Sequence, residues 1–269
     1  MERKIVKSRA VEPRIQSLAR ASAILDVVEA AGSKPARLSQ ISEALGLNRT
    51  TVFNLAESLV LLGFLDRVSA SGGYVLGLRN LQLGQAVARQ LDITEIARPS
   101  LLKLCRETGE TVNFALPYID SAMIVESYEG SHGVRPTSYA GTIAPYHATA
   151  CGKALLAQME PATRAQIYES VGLPALTPNT ITDAQALEAD IADVILRGYA
   201  LEREETEIGA SCIAMAIRGP FEHPLAAISI AGLAQRMTEA ALENAHVLLK
   251  AALVQIGAAI VARPGKRTR

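Results

Sequence analysis

Two changes of pattern along the 269 residues predict an α/β (α+β) chain of two domains. Up to about residue 110, apolar residues recur at the helical spacing of three and four, interrupted by one hairpin-like stretch. From Thr111 the period falls to two, and strand-like runs alternate with helices until a long final helix. At 49% hydrophobic and 20% charged, the chain has the make-up of a globular protein with a buried core.

The first helix is expected over 15–31, with Leu18, Ala21, Leu25 and Val28 on one stripe and Gly32 ending it. The segment 38–62, LSQISEALGLNRTTVFNLAESLVLL, reads as two helices about a tight turn. Leu38, Ile41 and Leu45 share a face of the first. Gly46 suits its left-handed end, and Asn48 is placed to cap the second. Val52, Leu55, Leu59 and Leu62 continue the apolar face. A hairpin is expected over 64–76, turning at Ser71-Gly72-Gly73. Helix, helix-turn-helix and hairpin in this order make a winged helix-turn-helix. The exposed start of its last helix carries Arg49, Thr50, Thr51 and Asn54. All are hydrogen-bond donors, at a helix end that favours phosphate and enters the major groove in such proteins. Arg20 on the first helix joins them as a candidate DNA contact.

Residues 78–92 form an amphipathic connector with Leu83, Val87 and Leu91 on one side. A further helix runs to about Arg106, with Pro99 expected in its first turn or at a kink and Gly109 closing it. TVNFALPY and SAMIVESY read as strands joined at Ile119-Asp120, and 134–140 as a third strand weakened by Pro136. Helices are expected over 148–158, 161–170 and from the TPNTITD loop to Arg197. Strands at 198–201, 211–217 and 224–230 follow, the last two central, then a helix over 238–261. The domains are therefore a basic arm 1–14, the winged domain 15–77, a linker helix 78–92, an α/β domain 93–262 and a basic tail 263–269.

Charge sets weaker bounds. The net charge is zero, yet 1–76 holds 10 Lys+Arg against 7 Asp+Glu, and the arm 1–14 supplies that excess with 5 against 2. Residues 77–262 hold 13 against 20. This supports nucleic-acid binding only modestly. No apolar run reaches the roughly 18 residues of a membrane span, and the start lacks a signal core, so cytoplasmic residence is expected. Cys105, Cys151 and Cys212 are widely spaced and follow no metal-ligand pattern. No metal, cofactor or catalytic residue is expected. His147, four residues before Cys151, lacks an orienting acid, and Gly152-Lys153 lacks the remaining residues of a phosphate loop.

Over nearly its whole length the sequence resembles the IclR family of bacterial transcription regulators. The carriers include SLARASAILDVVEAAG (17–32), GLNRTTVFNLAESLVLLGFL (46–65), YVLGLRNLQLG (74–84) and ARPSLLKLCRETGETVNFAL (97–116). HATACGKALLA (147–157), TPNTIT (177–182), RGYALEREETEIGASCIA (197–214) and AAISIAG (226–232) follow in order and spacing. The resemblance implies a GAF-like effector-binding domain, a homodimer or dimer of dimers on a double-stranded DNA operator, and a small organic-acid effector. It implies effector contacts at Ala150, Cys151, Glu202, Cys212 and Ser229. Three positions depart from the family pattern. Asn54 stands where Arg is frequent, Ala231 replaces a second Ser, and Glu202 is longer than the matching Asp, so base preference and effector differ from those of such relatives. The expected function is a metabolite-responsive repressor of a catabolic operon. The rival reading is an α/β enzyme with an accessory helix-turn-helix domain, and a third is a winged helix that binds protein rather than DNA.

Overall fold

The structure, a computed structural model, describes residues 14–68, 72–90, 92–218 and 224–262. Two compact units divide at Asp92.

The first unit comprises α1 (Gln16–Ala30), α2 (Leu38–Leu45), α3 (Arg49–Leu61), β1 (Leu65–Val68), β2 (Gly73–Leu76) and α4 (Leu78–Gln90). β1 and β2 pair antiparallel from Leu65↔Leu76 to Val68↔Gly73, and Ala36 bridges Tyr74 on the other side. The core joins Ile24, Val28, Ile41, Val52, Ala56, Leu59, Leu65 and Tyr74. The stripe expected on α1 is turned toward Ile24: that residue and Val28 are buried, whereas Leu18 is 64% exposed. The period was read correctly, but the sector facing inward is set by α3 and β2, which the helix cannot encode alone. Leu62 is likewise 64% exposed because it caps α3 after the helix ends. Of the expected α4 stripe, Leu83 is exposed, while the Val87 side chain and Leu91 lie outside the described residues. So do Ser71 of the turn, the arm up to residue 13 and the tail 263–269.

The second unit runs α5 (Asp92–Thr108), β3 (Thr111–Tyr118), β4 (Ser121–Tyr128), β5 (Ile143–Ala144), α6 (Ala150–Leu156), α7 (Pro161–Val171), α8 (Ala184–Arg197), β6 (Ala200–Arg203), β7 (Ala210–Arg218), β8 (Pro224–Leu233) and α9 (Glu239–Ala262). Six strands form one antiparallel sheet in the order β5-β4-β3-β8-β7-β6. Strand alternation divides two cores. Val112, Phe114, Ile213, Ile228 and Ile230 face α5 and α9. Ala115, Ala122, Ala214 and Ala227 face α6, α7 and α8. Because the second face is built from small residues, helices can approach it closely. β7 and β8 are interior strands, as expected, but β3 rather than β7 shares the centre with β8.

Pro99 lies inside α5, so of the two expected placements the first turn is excluded. One expectation fails. The segment 134–140 is not a strand; β5 at Ile143–Ala144 takes that place, pairing with Met123 and Ala122. Pro136 cannot donate to a ladder, and the segment is held by side chains instead. Thr111 Oγ1 donates to Pro136 O at 3.3 Å and Ser138 Oγ to Asn113 Oδ1 at 2.5 Å. It forms a strap tied to β3.

Candidate DNA interface and effector site

The helix-turn-helix is built by local chemistry. Gly46 ends α2 at φ 62°, where a side chain would be strained, and Ser42 Oγ donates to Leu47 O at 2.6 Å across the turn. Asn48 caps α3 by accepting the Thr51 N–H at 2.8 Å. That bond commits Asn48 to the fold. Arg49, Thr50 and Asn54 are left exposed and Thr51 half-buried on the outward start of α3. Arg20 is half-buried on α1. The sequence reading missed a clamp between wing and recognition helix. Arg67 of β1 pairs with Glu57 of α3 at 3.2 Å, and its guanidinium lies 5.8 Å from the ring centroids of both Phe53 and Tyr74. Tyr74 completes it by donating to Glu57 at 3.0 Å. Such pairs, 10 residues apart for Arg67–Glu57 and 17 for Tyr74–Glu57, leave no periodic trace in sequence.

In the second unit, strand register gathers three of the five expected effector residues, from three strands, on one face of the sheet. Glu202 pairs with Cys212, Cys212 with Ala231, and Ala214 with Ser229. All lie on the α6 side of the sheet by alternation, and α6 supplies Ala150 and Cys151. Thr149 caps α6, accepting the Gly152 N–H at 3.0 Å. Glu202 is 1% exposed. Its Oε1 accepts the Glu205 N–H at 2.6 Å and the Thr206 N–H at 3.1 Å, and the Cys212 thiol is a further hydrogen-bond partner of the buried carboxyl. Burial pushes the carboxyl up from its ordinary range despite those donors. Cys212 keeps some accessible surface although burial, reinforced by the neighbouring Glu202, raises its thiol well above the usual value.

A residue that sequence reasoning passed over joins this wall. Asn113, register partner of both Ser229 and Ser127, is buried and donates to Ser229 Oγ at 3.4 Å. Its signal was a polar residue at an inward position of an otherwise apolar strand. A cavity of about 390 Å³ opens elsewhere, beside the stretch of β7 that runs past β6, lined among others by Ala157, Val194, Tyr199, Ala216 and Leu253.

The other motifs resolve into structure. Burial pushes the Cys151 thiol up to about 11, so it is no nucleophile at neutral pH. His147 is held near neutrality by burial, which lowers its pKa, and it bonds Pro174 O at 3.0 Å through Nε2. Gly152 is glycine because a Cβ there would stand 2.5 Å from Tyr146 Cα. Lys153 is buried between Glu205 at 2.6 Å and Asp190 at 2.8 Å. Arg135 pairs with Glu129. Among the described residues no cluster of three metal-ligating side chains exists, and no helix is long and apolar enough to cross a membrane.

A winged helix-turn-helix followed by an α/β domain whose sheet carries a buried polar wall has the make-up of a DNA-binding transcriptional regulator. Residues 17–69 match the IclR helix-turn-helix domain, and residues 85–258 match the bacterial transcriptional regulator IclR C-terminal domain. The chain belongs to the IclR family. It is 31% identical over 248 residues to the HTH-type transcriptional regulator XynR of Escherichia coli, covering 92% of this chain and 98% of that protein. It is 32% identical over 249 residues to the HTH-type transcriptional repressor AllR of Salmonella typhimurium, covering 93% and 91%. An IclR homologue from Microbacterium hydrocarbonoxydans, solved in complex with 4-hydroxybenzoate, superposes with a TM-score of 0.77 at 25% identity, covering 92% of this chain and 100% of its own.

Proposed function

We propose that this protein is a cytoplasmic repressor of a catabolic operon, released from its operator by a small organic acid. The wall itself carries the reading: Glu202, Cys212 and Ser229 stand on one face of the sheet with Ala150 and Cys151 beside them, a few polar groups among small apolar side chains. An acid bearing a hydroxyl suits a wall that offers a carboxyl, a thiol and a hydroxyl, and the 4-hydroxybenzoate complex of the Microbacterium homologue is in keeping with it. Ala150 and Cys151 form the opposing wall, with Cys212 and Ser229 on the sheet.

Arg49, Thr50, Thr51 and Asn54, with Arg20, read the operator. One recognition helix spans too few base pairs, so two copies bind half-sites about one helical turn apart; a monomer in light scattering, both free and on DNA, would refute this. Arg49→Ala is expected to weaken operator binding by roughly 1–3 kcal/mol with relaxed specificity, whereas equal loss on random DNA assigns it to phosphate. Cys212→Phe crowds this wall and is expected to abolish release by the acid while operator affinity in gel shift is kept. A variant that responds as wild type does places the effector elsewhere. Loss of response in Ala216→Trp would then move it to the 390 Å³ cleft beside β7.

A further inference from the structure

β7 is an interior strand for only part of its length. β8 flanks it as far as Arg218, but β6 covers it only from Ser211 to Ala214, because Gly198 ends α8 at φ 83° and the chain enters β6 at Ala200. On that side residues 215–218 have no strand partner among the described residues. The phase of the ladder fixes which groups are left over. The Glu204 N–H donates to Ala210 O at 2.9 Å, so Ala210, Cys212 and Ala214 bond toward β6. By alternation the next residue to face that side is Ala216. Its N–H and C=O point into the cleft of about 390 Å³ that it lines. Exposure changes at the same place: Ile213 and Ala214 are fully buried, whereas Met215 and Ala216 are half-buried.

The cleft has the walls that a further strand requires. Val194 of α8 and Ala157 at the end of α6 stand on one face of the sheet, Leu253 and Gly257 of α9 on the other. A strand sends alternate side chains to both faces and uses both walls. Gly257 keeps the α9 wall low. Glycine is disfavoured inside a helix, and no neighbour demands it here, since a Cβ would meet nothing within 4 Å. Arg218 is the one charged residue among those lining the cleft. Its Nε donates to the neutral Gln158 at 2.7 Å, and among the described residues it has no carboxylate partner. A second copy cannot bring its own β7 edge here, because that edge is recessed between helices in the same way. We propose that an extended segment of a partner protein adds to β7 at this edge, antiparallel and in line with β6. The residue opposite Ala216 exchanges two backbone hydrogen bonds with it and turns its side chain toward Val194 and Ala157. The next, opposite Met215, turns toward Leu253 and Gly257. An acidic residue two positions before the first reaches Arg218. Ala216 lies beyond the start of β6 from Cys212, so this surface is independent of the effector wall.

The test is fluorescence polarisation of the peptide fluorescein-Ser-Glu-Thr-Val-Val-Ser-amide with the full chain and its variants. Wild type is expected to bind it with a Kd below ~1 mM. Methylating the backbone nitrogen of the first valine removes the donor to Ala216 O and is expected to weaken binding about fivefold, the worth of one backbone hydrogen bond. Replacing the peptide's glutamate by lysine is expected to weaken it about threefold, and Arg218→Glu, at an exposed position, to reverse that preference. Ala216→Pro deletes the N–H that faces the cleft, leaves the ladder to β8 intact and is expected to weaken binding about fivefold. Should that variant fail to fold, the methylated peptide makes the same test on wild type. Equal binding of the methylated peptide would mean that the cleft is filled without strand pairing. An unchanged preference in Arg218→Glu would remove the acidic residue, and no binding by wild type at ~1 mM would remove the surface. A lower oligomeric state of Ala216→Trp than of wild type in sedimentation would make the cleft an interface between copies. Each of these four results overturns the proposal.

Discussion

Lys153 offers the sharpest test of how the effector domain is held together. Its ammonium is 1% exposed and stands 2.6 Å from Glu205 and 2.8 Å from Asp190, with Leu201 O at 3.4 Å. Lys153→Met removes the cation and keeps most of the packed volume. Two carboxylates then face each other's field without a counter-ion; Arg197, 3.6 Å from Asp190, offsets part of one of them. Breaking a buried pair from one side costs about 3–5 kcal/mol. Asp190 retains 22% of its side-chain surface and rehydrates, which points to the low end. For a domain of this size ~3 kcal/mol corresponds to a fall in Tm of about 6–12 °C. Six of the seven tyrosines and no tryptophan lie in this domain, so near-ultraviolet circular dichroism during thermal unfolding reports it selectively. The triple variant Lys153→Met/Asp190→Asn/Glu205→Gln removes every charge of the cluster and is expected to regain most of the loss. A single variant within about 1 kcal/mol of wild type would mean that the lysine is not desolvated. A triple variant as unstable as the single would assign the loss to packing.

Two further outcomes follow from other residues. The folded-state pKa of Glu202 lies above its ordinary 4.5 because of burial. The folded protein therefore holds a proton that the unfolded chain releases, and stability falls as pH rises from 4.5 through the folded value. Glu202→Gln removes that dependence, so its stability relative to wild type is expected to grow across this window in urea titrations; a constant difference would show the carboxyl to be unshifted. Asn48→Ala deletes the cap on α3 and is expected to cost about 1 kcal/mol, with Asn48→Gly losing only a few tenths, read from the melting of the winged domain. Operator affinity should fall with Asn48→Ala, since the frayed turn carries Arg49, Thr50 and Thr51.

Much of this molecule was written locally. The cap at Asn48, the left-handed Gly46 and the order of helices and hairpin depend on neighbours within a few residues, and periodicity alone placed α8, β7, β8 and α9 close to their true bounds. The family pattern pointed to Glu202, Cys212 and Ser229, which the register does bring to one face. Tertiary structure decided the rest. Periodicity defines a stripe but not the partner it meets, so α1 turned Ile24 rather than Leu18 inward. The strap at 134–140 has extended composition, yet side-chain bonds to Thr111 and Asn113 hold it where Pro136 denies it a ladder. Asn113 meets Ser229 across 116 residues, and Lys153 meets Glu205 across 52. Polar groups so distant carry no spacing signal; their role exists only once the sheet and its helices remove water from around them.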